Sequence, residues 1–176
     1  RQMCIRDSPY YMMQRAADVG VPAELITAAR AVNRTMPIHV AGVLNELLYK
    51  AGVPAGEGKV LLLGWSYKAE VGDPRETPAE PLTDALQSKD IAVAAYDPHL
   101  NAEDFPEGVE VVSDIDSAEG YDLAVLVTAH KACQEIDWAG LASRMRNPIL
   151  YDGRRVLNLA SLESSGWQVH AVGRPR

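Results

Sequence analysis

Cysteine is scarce in this sequence. Its 176 residues include two cysteines, Cys4 and Cys133, which cannot by themselves build a disulfide framework or a zinc cluster. No apolar run approaches the roughly 18 residues that a membrane-spanning helix needs. The first residues also lack the apolar stretch of a secretory signal peptide. These absences predict a protein of a reducing, cytoplasmic environment with no membrane contact.

Basic residues are in the minority. The chain has 17 lysines and arginines against 24 aspartates and glutamates, for a formal net charge of -7. A nucleic-acid-binding protein presents a broad basic surface, and this composition excludes one. We therefore expect any bound anion to be held by a few local cations. The four histidines show neither metal-site spacing nor a Ser-His-Asp pattern, so no metal is expected.

The first third of the chain has the apolar period of helices. Residues 9–57 predict one short helix that ends at Gly20, followed by a long one from Pro22 to Gly52 with a kink at Pro37. A helix of roughly 30 residues is about 45 Å long, which is more than a domain of this size needs. We expect it to pack against something outside the domain.

In residues 58–176 short branched apolar runs alternate with helical patterns, which is typical of β-α units in a mostly parallel sheet. Strands are predicted at Val60–Leu63, Ile91–Tyr96, Val109–Val112, Leu123–Val127, Ile149–Tyr151 and Val169–Val172, and helices at Pro78–Ser88, Trp138–Met145 and Asn158–Ser164. The predicted fold class is α/β, with a Rossmann-like, mostly parallel sheet that is flanked by helices and preceded by a long helical arm. The glycine fingerprint of dinucleotide binding is absent, because Gly56-Glu57-Gly58 precedes the first strand instead of following it.

Ligands of such sheets collect at the carboxyl ends of the strands. The first strand is followed by residues 64–77, which contain the cations Lys68 and Arg75 ahead of a helix whose N-terminus also favours anions. A diphosphate would fit there. Alternatively, Lys68 and Arg75 pair with Glu70 and Asp73 on a solvated loop.

A second such edge is residues 151–155, where two arginines follow an apolar strand. One guanidinium could reach a ligand while the other pairs with Asp152, or both could lie on the surface beside a turn. Our hypothesis is that Lys68 and Arg154, at two neighbouring strand ends, meet in one pocket. Three other polar or reactive residues are assigned structural roles: Asp97 before a turn, His130 after a strand, and Cys133 as a small buried side chain.

Four ordered segments of the chain together resemble the C-terminal part of the UDP-glucose/GDP-mannose dehydrogenase family. They are Ala29–Pro37, Gly64–Lys68 with Gly72–Pro78, Tyr96–Pro98 and Asp152–Leu157. The segment Pro9-Tyr10-Tyr11 is similar to the branch of UDP-N-acetylhexosamine 6-dehydrogenases. Because four segments occur in the family's order, ligand contacts are favoured over solvated ion pairs for the cations.

The resemblance implies a function for these residues. Enzymes of this family have one α/β domain that binds NAD, a second that binds the UDP-sugar, and a long helix that forms the dimer interface. By this resemblance Tyr67 and Lys68 contact the UDP-sugar, Arg154 helps to bind it, and Arg75 lies near the NAD phosphates. The family oxidises the C6 alcohol of the sugar to a carboxylate in two NAD-dependent steps, through a covalent adduct on a cysteine.

The beginning of the chain departs from the family pattern. Cys4 stands at the family cysteine's distance from Pro9, but residues 1–3 replace the expected glycines and Ser8 replaces an aspartate. Residues 1–8 also resemble translated sequencing-adapter sequence. We therefore expect a non-native tail over 1–8, a helical dimerisation region over 9–57 and a UDP-sugar-binding domain over 58–176, and we leave the catalytic residue unassigned.

The predicted function is that of a C-terminal fragment of an NAD-dependent nucleotide-sugar 6-dehydrogenase. Such a fragment would supply the UDP-sugar site and the dimer helix, would form a homodimer, and would not turn over alone. NAD would be bound mainly by the other domain. The alternatives are a stand-alone nucleotide-binding or dimerisation module without catalysis, and an α/β scaffold without a ligand.

Overall fold

A computed structural model describes residues 7–174 of the chain, with side chains from Pro9 onward. Cys4 and most of the expected non-native tail lie outside these residues. The helices are α1 (Asp7–Asp18), α2 (Glu24–Lys50), α3 (Ala79–Gln87), α4 (Lys131–Gln134), α5 (Trp138–Arg144) and α6 (Leu159–Ser164). The strands are β1 (Lys59–Leu63), β2 (Ala92–Tyr96), β3 (Glu110–Val111), β4 (Leu123–Leu126), β5 (Ile149–Asp152) and β6 (Gln168–Ala171).

The six strands form a single parallel sheet in the order β3-β2-β1-β4-β5-β6. The predicted α/β class is therefore confirmed, and the order is that of the doubly wound dinucleotide-binding fold. The strand order reverses between β1 and β4, and the helices that follow these two strands, α3 and α5, pack on opposite faces of the sheet. This arrangement opens a crevice at the carboxyl edge, where ligands of such sheets bind.

Alternate residues of each strand supply two separate cores. On one face Val60 and Leu62 of β1 pack in the cluster that contains Leu44 of α2 and Leu86 of α3. On the other face Leu61 and Leu63 belong to the cluster that contains residues of α5 and α6. Strands that are buried on both faces read as continuous apolar runs, which is why they were recognisable from the sequence.

Helix α2 is continuous through Pro37 and has two unlike halves. At 27 residues it is about 40 Å long. Its buried residues all lie in the second half, from Ala41 to Leu48. The first half instead exposes large apolar side chains, among them Leu25 at 84% and Val32 at 60%. The helix is therefore anchored to the domain by one half only.

Three local features differ from the sequence prediction. The predicted strand at Val109–Val112 is reduced to Glu110–Val111, an edge strand that pairs with β2 alone. The single-turn helix α4 was not predicted, because four residues are too few to show a helical period. Helix α3 begins at Ala79, one residue later than predicted, and the Ala79 N–H donates to Thr77 Oγ1 at 3.1 Å.

Within residues 7–174, no helix is both long enough and apolar enough to cross a bilayer.

Candidate functional site

A cleft of about 1370 Å³ lies between α2 and the carboxyl edge of the sheet. The loop after β1 contributes Tyr67 and Lys68, and the loop after β5 contributes Gly153 and Arg154. Val127, which follows β4, lies in the floor between them. Three of the residues predicted from the sequence, Tyr67, Lys68 and Arg154, therefore line one cleft.

The strand ends that bear Lys68 and Arg154 are not neighbours. Strand β4 pairs with β1 on one side and with β5 on the other, so it separates them. The prediction of neighbouring strand ends was wrong, because the sequence does not reveal the order in which parallel strands assemble. The two cations still line the same cleft, since between them the cleft is lined by Val125 of β4 and by Val127, which follows it, and both side chains are apolar.

The loop after β1 is held at its start by a buried carboxylate. Asp97 Oδ2 accepts hydrogen bonds from the backbone N–H groups of Trp65 at 2.8 Å and Ser66 at 2.7 Å. Its Oδ1 accepts from His99 N–H at 2.9 Å, which forms the turn predicted for this residue. Burial alone would raise the pKa of Asp97, but the donors of Ser66 and His99 outweigh it and the pKa is lowered. The residues just before Tyr67 are thus fixed by an ionised group.

His130 joins the middle of this loop to the same carboxylate. Its Nδ1 accepts the backbone N–H of Glu70 at 3.0 Å, and its Nε2 lies 3.1 Å from Asp97 Oδ2. The ring is completely buried, so the structural role predicted for His130 fits its position. Ligand atoms of Glu70, His99 and His130 lie within 4.8 Å of one another. However, both ring nitrogens of His130 are already engaged, which leaves this cluster poorly suited to hold a metal ion.

Gly64 lets the loop leave β1 in close contact with the chain after β4. Its φ is +82°, and a Cβ at this position would lie 2.3 Å from the carbonyl oxygen of Thr128. Thr128 in turn donates its hydroxyl to the Ser66 carbonyl at 2.6 Å. Only glycine fits both the backbone conformation and the short approach. The loops after β1 and β4 are therefore tied together beside the cleft.

The two cations of residues 64–77 have different surroundings. Arg75 forms a two-pronged ion pair with Asp73 at 2.8 Å and leaves its side chain 83% exposed. This pairing lowers the pKa of Asp73 to about 2. No carboxylate among the described residues lies within 4 Å of the Lys68 ammonium. Arg75 therefore follows the alternative of a solvated ion pair, and it does not line the cleft. Lys68 does line the cleft and does not follow that alternative.

The loop after β5 is organised by another buried carboxylate. The two oxygens of Asp152 accept four backbone N–H bonds of 2.7 to 3.0 Å, from residues 154, 155, 156 and 157. Of the two alternatives for these arginines, the one in which a guanidinium pairs with Asp152 does not hold among the described residues, because backbone N–H groups already occupy both carboxylate oxygens. Gly153 is needed beside it, since a Cβ there would lie 2.8 Å from the Leu126 carbonyl oxygen.

This arrangement points the Arg154 side chain toward the cleft. Its Nε donates to the Val127 carbonyl, which fixes the guanidinium over the end of β4. Desolvation lowers the pKa of Arg154, and the nearby Tyr67 opposes that shift. Over residues 7–174 no carboxylate lies within 4 Å of this guanidinium. A partly desolvated cation without a counter-ion is a ready site for an anion.

Helix α2 supplies cleft residues that the sequence analysis did not select. Arg30, Asn33 and Arg34 line the side of the cleft opposite the strand ends. Their positions i, i+3 and i+4 share one helix face, which was the available signal. It was missed because the segment was used only to establish the family resemblance.

The described residues contain no exposed thiol. Cys133 is fully buried, and burial raises the pKa of its thiol to about 12, with Asp97 and Glu70 adding to the effect. It is the small buried side chain that the sequence predicted. The cleft therefore offers four cations, an amide and a phenol for binding, and its lining also includes the carboxylates Asp73, Glu76 and Glu80. The described residues contain no exposed cysteine that could act as a nucleophile there.

Residues 61–159 match the family model described as "UDP-glucose/GDP-mannose dehydrogenase family, UDP binding domain". The matched region begins within β1, continues through β5 and includes both loops that carry Tyr67, Lys68 and Arg154. It covers more than half of the chain.

Individual proteins are similar over a greater length. A UDP-N-acetyl-D-mannosamine dehydrogenase of Pyrococcus horikoshii is 31% identical over 155 residues, which is 88% of this chain and 34% of that protein. A solved structure of UDP-D-ManNAc dehydrogenase from Pyrococcus horikoshii superposes with a TM-score of 0.80 at 28% identity, covering 97% of this chain and 38% of that one. An NDP-N-acetyl-D-galactosaminuronic acid dehydrogenase from Methanosarcina mazei gives a TM-score of 0.78 at 26% identity, with coverage of 94% and 36%. The chain thus spans little more than a third of the length of the proteins it matches.

Proposed function

Because the chain belongs to the UDP-glucose/GDP-mannose dehydrogenase family, we propose that it is the C-terminal, UDP-sugar-binding part of an NAD-dependent nucleotide-sugar 6-dehydrogenase. The family resemblance seen in the sequence is confirmed by the match over residues 61–159. The activity itself would belong to a longer protein, since the 155 residues aligned with the Pyrococcus horikoshii relative are 34% of its length.

One observation carries the proposal: Lys68 and Arg154 line the same cleft, and neither has a carboxylate partner among the described residues. The chain as a whole is acidic, with a net charge of -7, so such cations are not a general property of its surface. A diphosphate would neutralise both. Tyr67, which lines the same cleft, would present a ring and a hydroxyl to the nucleoside or the sugar.

NAD would be bound mainly outside this domain. When bound, NAD accepts a hydride from the C6 carbon of the sugar. The loop after β1 does not fit a dinucleotide, because it lacks the glycine fingerprint and its start is tied to Asp97. Arg75 would be this chain's contribution, since its exposed guanidinium stands outside the cleft and could reach phosphates held by another domain. Its ion pair with Asp73 would hold it in position.

We further propose that the sugar is an N-acetylated hexosamine. The printed names of several similar proteins are those of UDP-N-acetyl-D-mannosamine dehydrogenases. The segment Pro9-Tyr10-Tyr11 agrees with this branch. The choice rests on these similarities and not on a contact to the sugar.

The exposed half of α2 supports the predicted homodimer. Leu25 and Val32, seven residues apart and therefore on one helix face, present large apolar side chains that are 84% and 60% exposed among the described residues. Apolar side chains clustered on a helix of this length favour burial against a second helix. We propose that the second copy's α2 provides it.

Calorimetric titration of the purified chain with UDP tests the proposal. We expect saturable binding that Lys68→Ala and Arg154→Ala each weaken by about ten-fold or more, because each loses a charge-assisted hydrogen bond. Lys89→Ala removes the same charge from an exposed position two residues after α3 and is expected to leave the affinity unchanged. No UDP binding by the unchanged chain, or equal effects of all three variants, would contradict the proposal.

The alternative of a binding module without catalysis predicts the same titration. The two are separated by joining the chain to the amino-terminal part of the Pyrococcus horikoshii relative and following NADH formation with UDP-N-acetylhexosamines. The dehydrogenase proposal expects NADH only from the joined protein and none from the chain alone. A joined protein that binds UDP and NAD but never forms NADH would favour the module.

A further inference from the structure

We infer that α2 forms a second anion-binding wall of the cleft, in which Arg30 and Arg34 bind an anionic group of the nucleotide sugar opposite Lys68 and Arg154. This inference rests on the proposed function and extends the site to a helix that the matched region of residues 61–159 does not include. The anionic group is either a phosphate of the diphosphate or the carboxylate formed at C6, which share the same chemistry toward a guanidinium.

The first argument is placement. Arg30, Asn33 and Arg34 line the cleft that also contains Lys68 and Arg154. Residues at i, i+3 and i+4 are neighbours on one helix face, so the two guanidiniums and the amide form a continuous polar strip. A ligand that fills the cleft would touch this strip on one side and the strand ends on the other.

The second argument is the absence of counter-ions. No carboxylate of the described residues lies within 4 Å of Arg30 or Arg34. Two like charges four residues apart on a helix repel each other, and an ordinary surface pair would place an acid between them. Arg30 Nε is also buried without a hydrogen-bond partner among the described residues. A buried donor without an acceptor is costly, and an anion in the cleft would relieve it.

The third argument is the acceptor that the two arginines now share. Arg30 donates to the Tyr10 hydroxyl at 2.7 Å, and Arg34 donates to the same oxygen. Both guanidiniums also lie over the Tyr10 ring, with their Cζ atoms 4.5 and 5.5 Å from its centre. A single phenol oxygen therefore receives two charged donors, as a phosphate or carboxylate oxygen would. Tyr10 holds the guanidiniums side by side, which lowers the cost of ordering them for a ligand.

Guanidinium chemistry fits this role better than that of lysine. The planar fork of arginine offers parallel N–H donors that match two oxygens of a phosphate or carboxylate. Two forks at adjacent turns can therefore grip one anionic group from two directions. Substitution by lysine would keep the charge and lose the fork.

The test is a titration series with the unchanged chain, Arg30→Gln, Arg34→Gln, the double variant and Arg34→Lys. Arg15→Gln is the matched control, since it removes the same charge from α1 and does not line the cleft. The probes are UDP, UDP-glucose, UDP-glucuronate and uridine. Circular dichroism and thermal melting of each variant establish that the fold is kept.

We expect the double variant to bind UDP-glucuronate, which carries both candidate anionic groups, at least about ten-fold more weakly and with a smaller salt dependence, while Arg15→Gln is unchanged. Arg34→Lys should lie between Arg34→Gln and the unchanged chain. Uridine, which is uncharged, should bind equally to all. If UDP, UDP-glucose and UDP-glucuronate are weakened alike, the wall binds the diphosphate, and if only UDP-glucuronate is weakened, it binds the C6 carboxylate.

Two failures are distinguishable. If UDP and UDP-glucuronate bind, Lys68→Ala weakens them, and the folded double variant binds both as the unchanged chain does, the second wall is refuted and the proposed function stands. If neither ligand binds the unchanged chain, the proposed function fails and the second wall fails with it.

Discussion

Single carboxylates determine the shape of this site more than the cations that would contact a ligand. Asp152 is the clearest case, because its two oxygens serve four consecutive backbone N–H groups and leave none for a side chain. It turns the chain after β5 so that Arg155 takes a φ of +57° and Arg154 reaches the Val127 carbonyl. A residue that never touches the ligand thus positions one that would.

Asp152→Asn should therefore destabilise the protein strongly. An amide offers one oxygen where the carboxylate offers two, and its NH₂ group would face backbone donors at the fully buried position. We expect the free energy of unfolding to fall by about 2–4 kcal/mol. Urea unfolding followed by circular dichroism measures the loss. Asp84→Asn on the exposed face of α3 serves as the control, and an equal loss in both variants would contradict this account.

At the residue scale, Lys68 and Arg154 could be predicted as cleft residues because charge at the end of an apolar strand is visible in a sequence. The role of Asp152 could not, since four backbone donors converge on it only after the loop has folded. For Arg75 the sequence offered two alternatives, a ligand contact and an ion pair with Asp73. The spacing could not decide between them, because the pair depends on the geometry of the turn.

At the scale of elements, the loop after β1 behaves as a part of the sheet edge and not as a free segment. Asp97 holds Trp65 and Ser66, His130 holds Glu70, and Thr77 donates its hydroxyl to the Trp65 carbonyl. These contacts come from three different parts of the chain. The loop that presents Tyr67 and Lys68 is therefore stable only as long as the ends of β2 and β4 remain in place.

This dependence predicts a loss of stability in acid. The pKa of Asp97 is lowered in the folded chain, so its contribution to stability is complete above the ordinary value of 3.8 and declines as the pH falls below it. The contribution of Asp73, whose pKa is about 2, to stability is likewise lost as the pH falls from 3.8 to about 2. Asp97→Asn should lower the free energy of unfolding by about 1–3 kcal/mol near neutral pH.

Urea unfolding at about pH 7 and at about pH 3 tests this prediction. The difference in stability between the unchanged chain and Asp97→Asn should be smaller at the acid pH, because protonation removes the same charge that the substitution removes. Asp90→Asn, on the exposed turn before β2, is the control. A difference that stays constant with pH would show that Asp97 does not act through its charge.

Long elements could be predicted from the sequence and short ones could not. The helices α2 and α3 and the central strands have several periods of buried apolar residues, which is the signal that sequence analysis uses. Helix α4 spans four residues and β3 spans two, and such short pieces are selected by their neighbours. The cleft belongs to neither class, because it lies between α2 and a sheet edge that are brought together only by long-range packing.

For the whole molecule, the unequal halves of α2 predict self-association. Val32→Lys should shift the proposed homodimer toward the monomer, since it places a charge among the exposed apolar side chains of the first half. Light scattering after gel filtration measures the mass directly. Tyr49→Lys, at a position 80% exposed at the other end of the helix, is the control for added charge. A monomer for the unchanged chain at all concentrations would refute the interface.

Pro37 lies in the cleft lining at the boundary between the two halves of α2. Proline has no N–H, so the bond that its turn would make to the Asn33 carbonyl is missing at this point. Arg30 and Arg34 thus lie on a half of α2 that is anchored to the core only through the other half, and the helix lacks a backbone hydrogen bond where the two halves meet. The flexibility of this one turn would determine the distance between these arginines and the cations Lys68 and Arg154 at the strand ends. It would therefore influence which nucleotide sugars both sides of the cleft can contact at once.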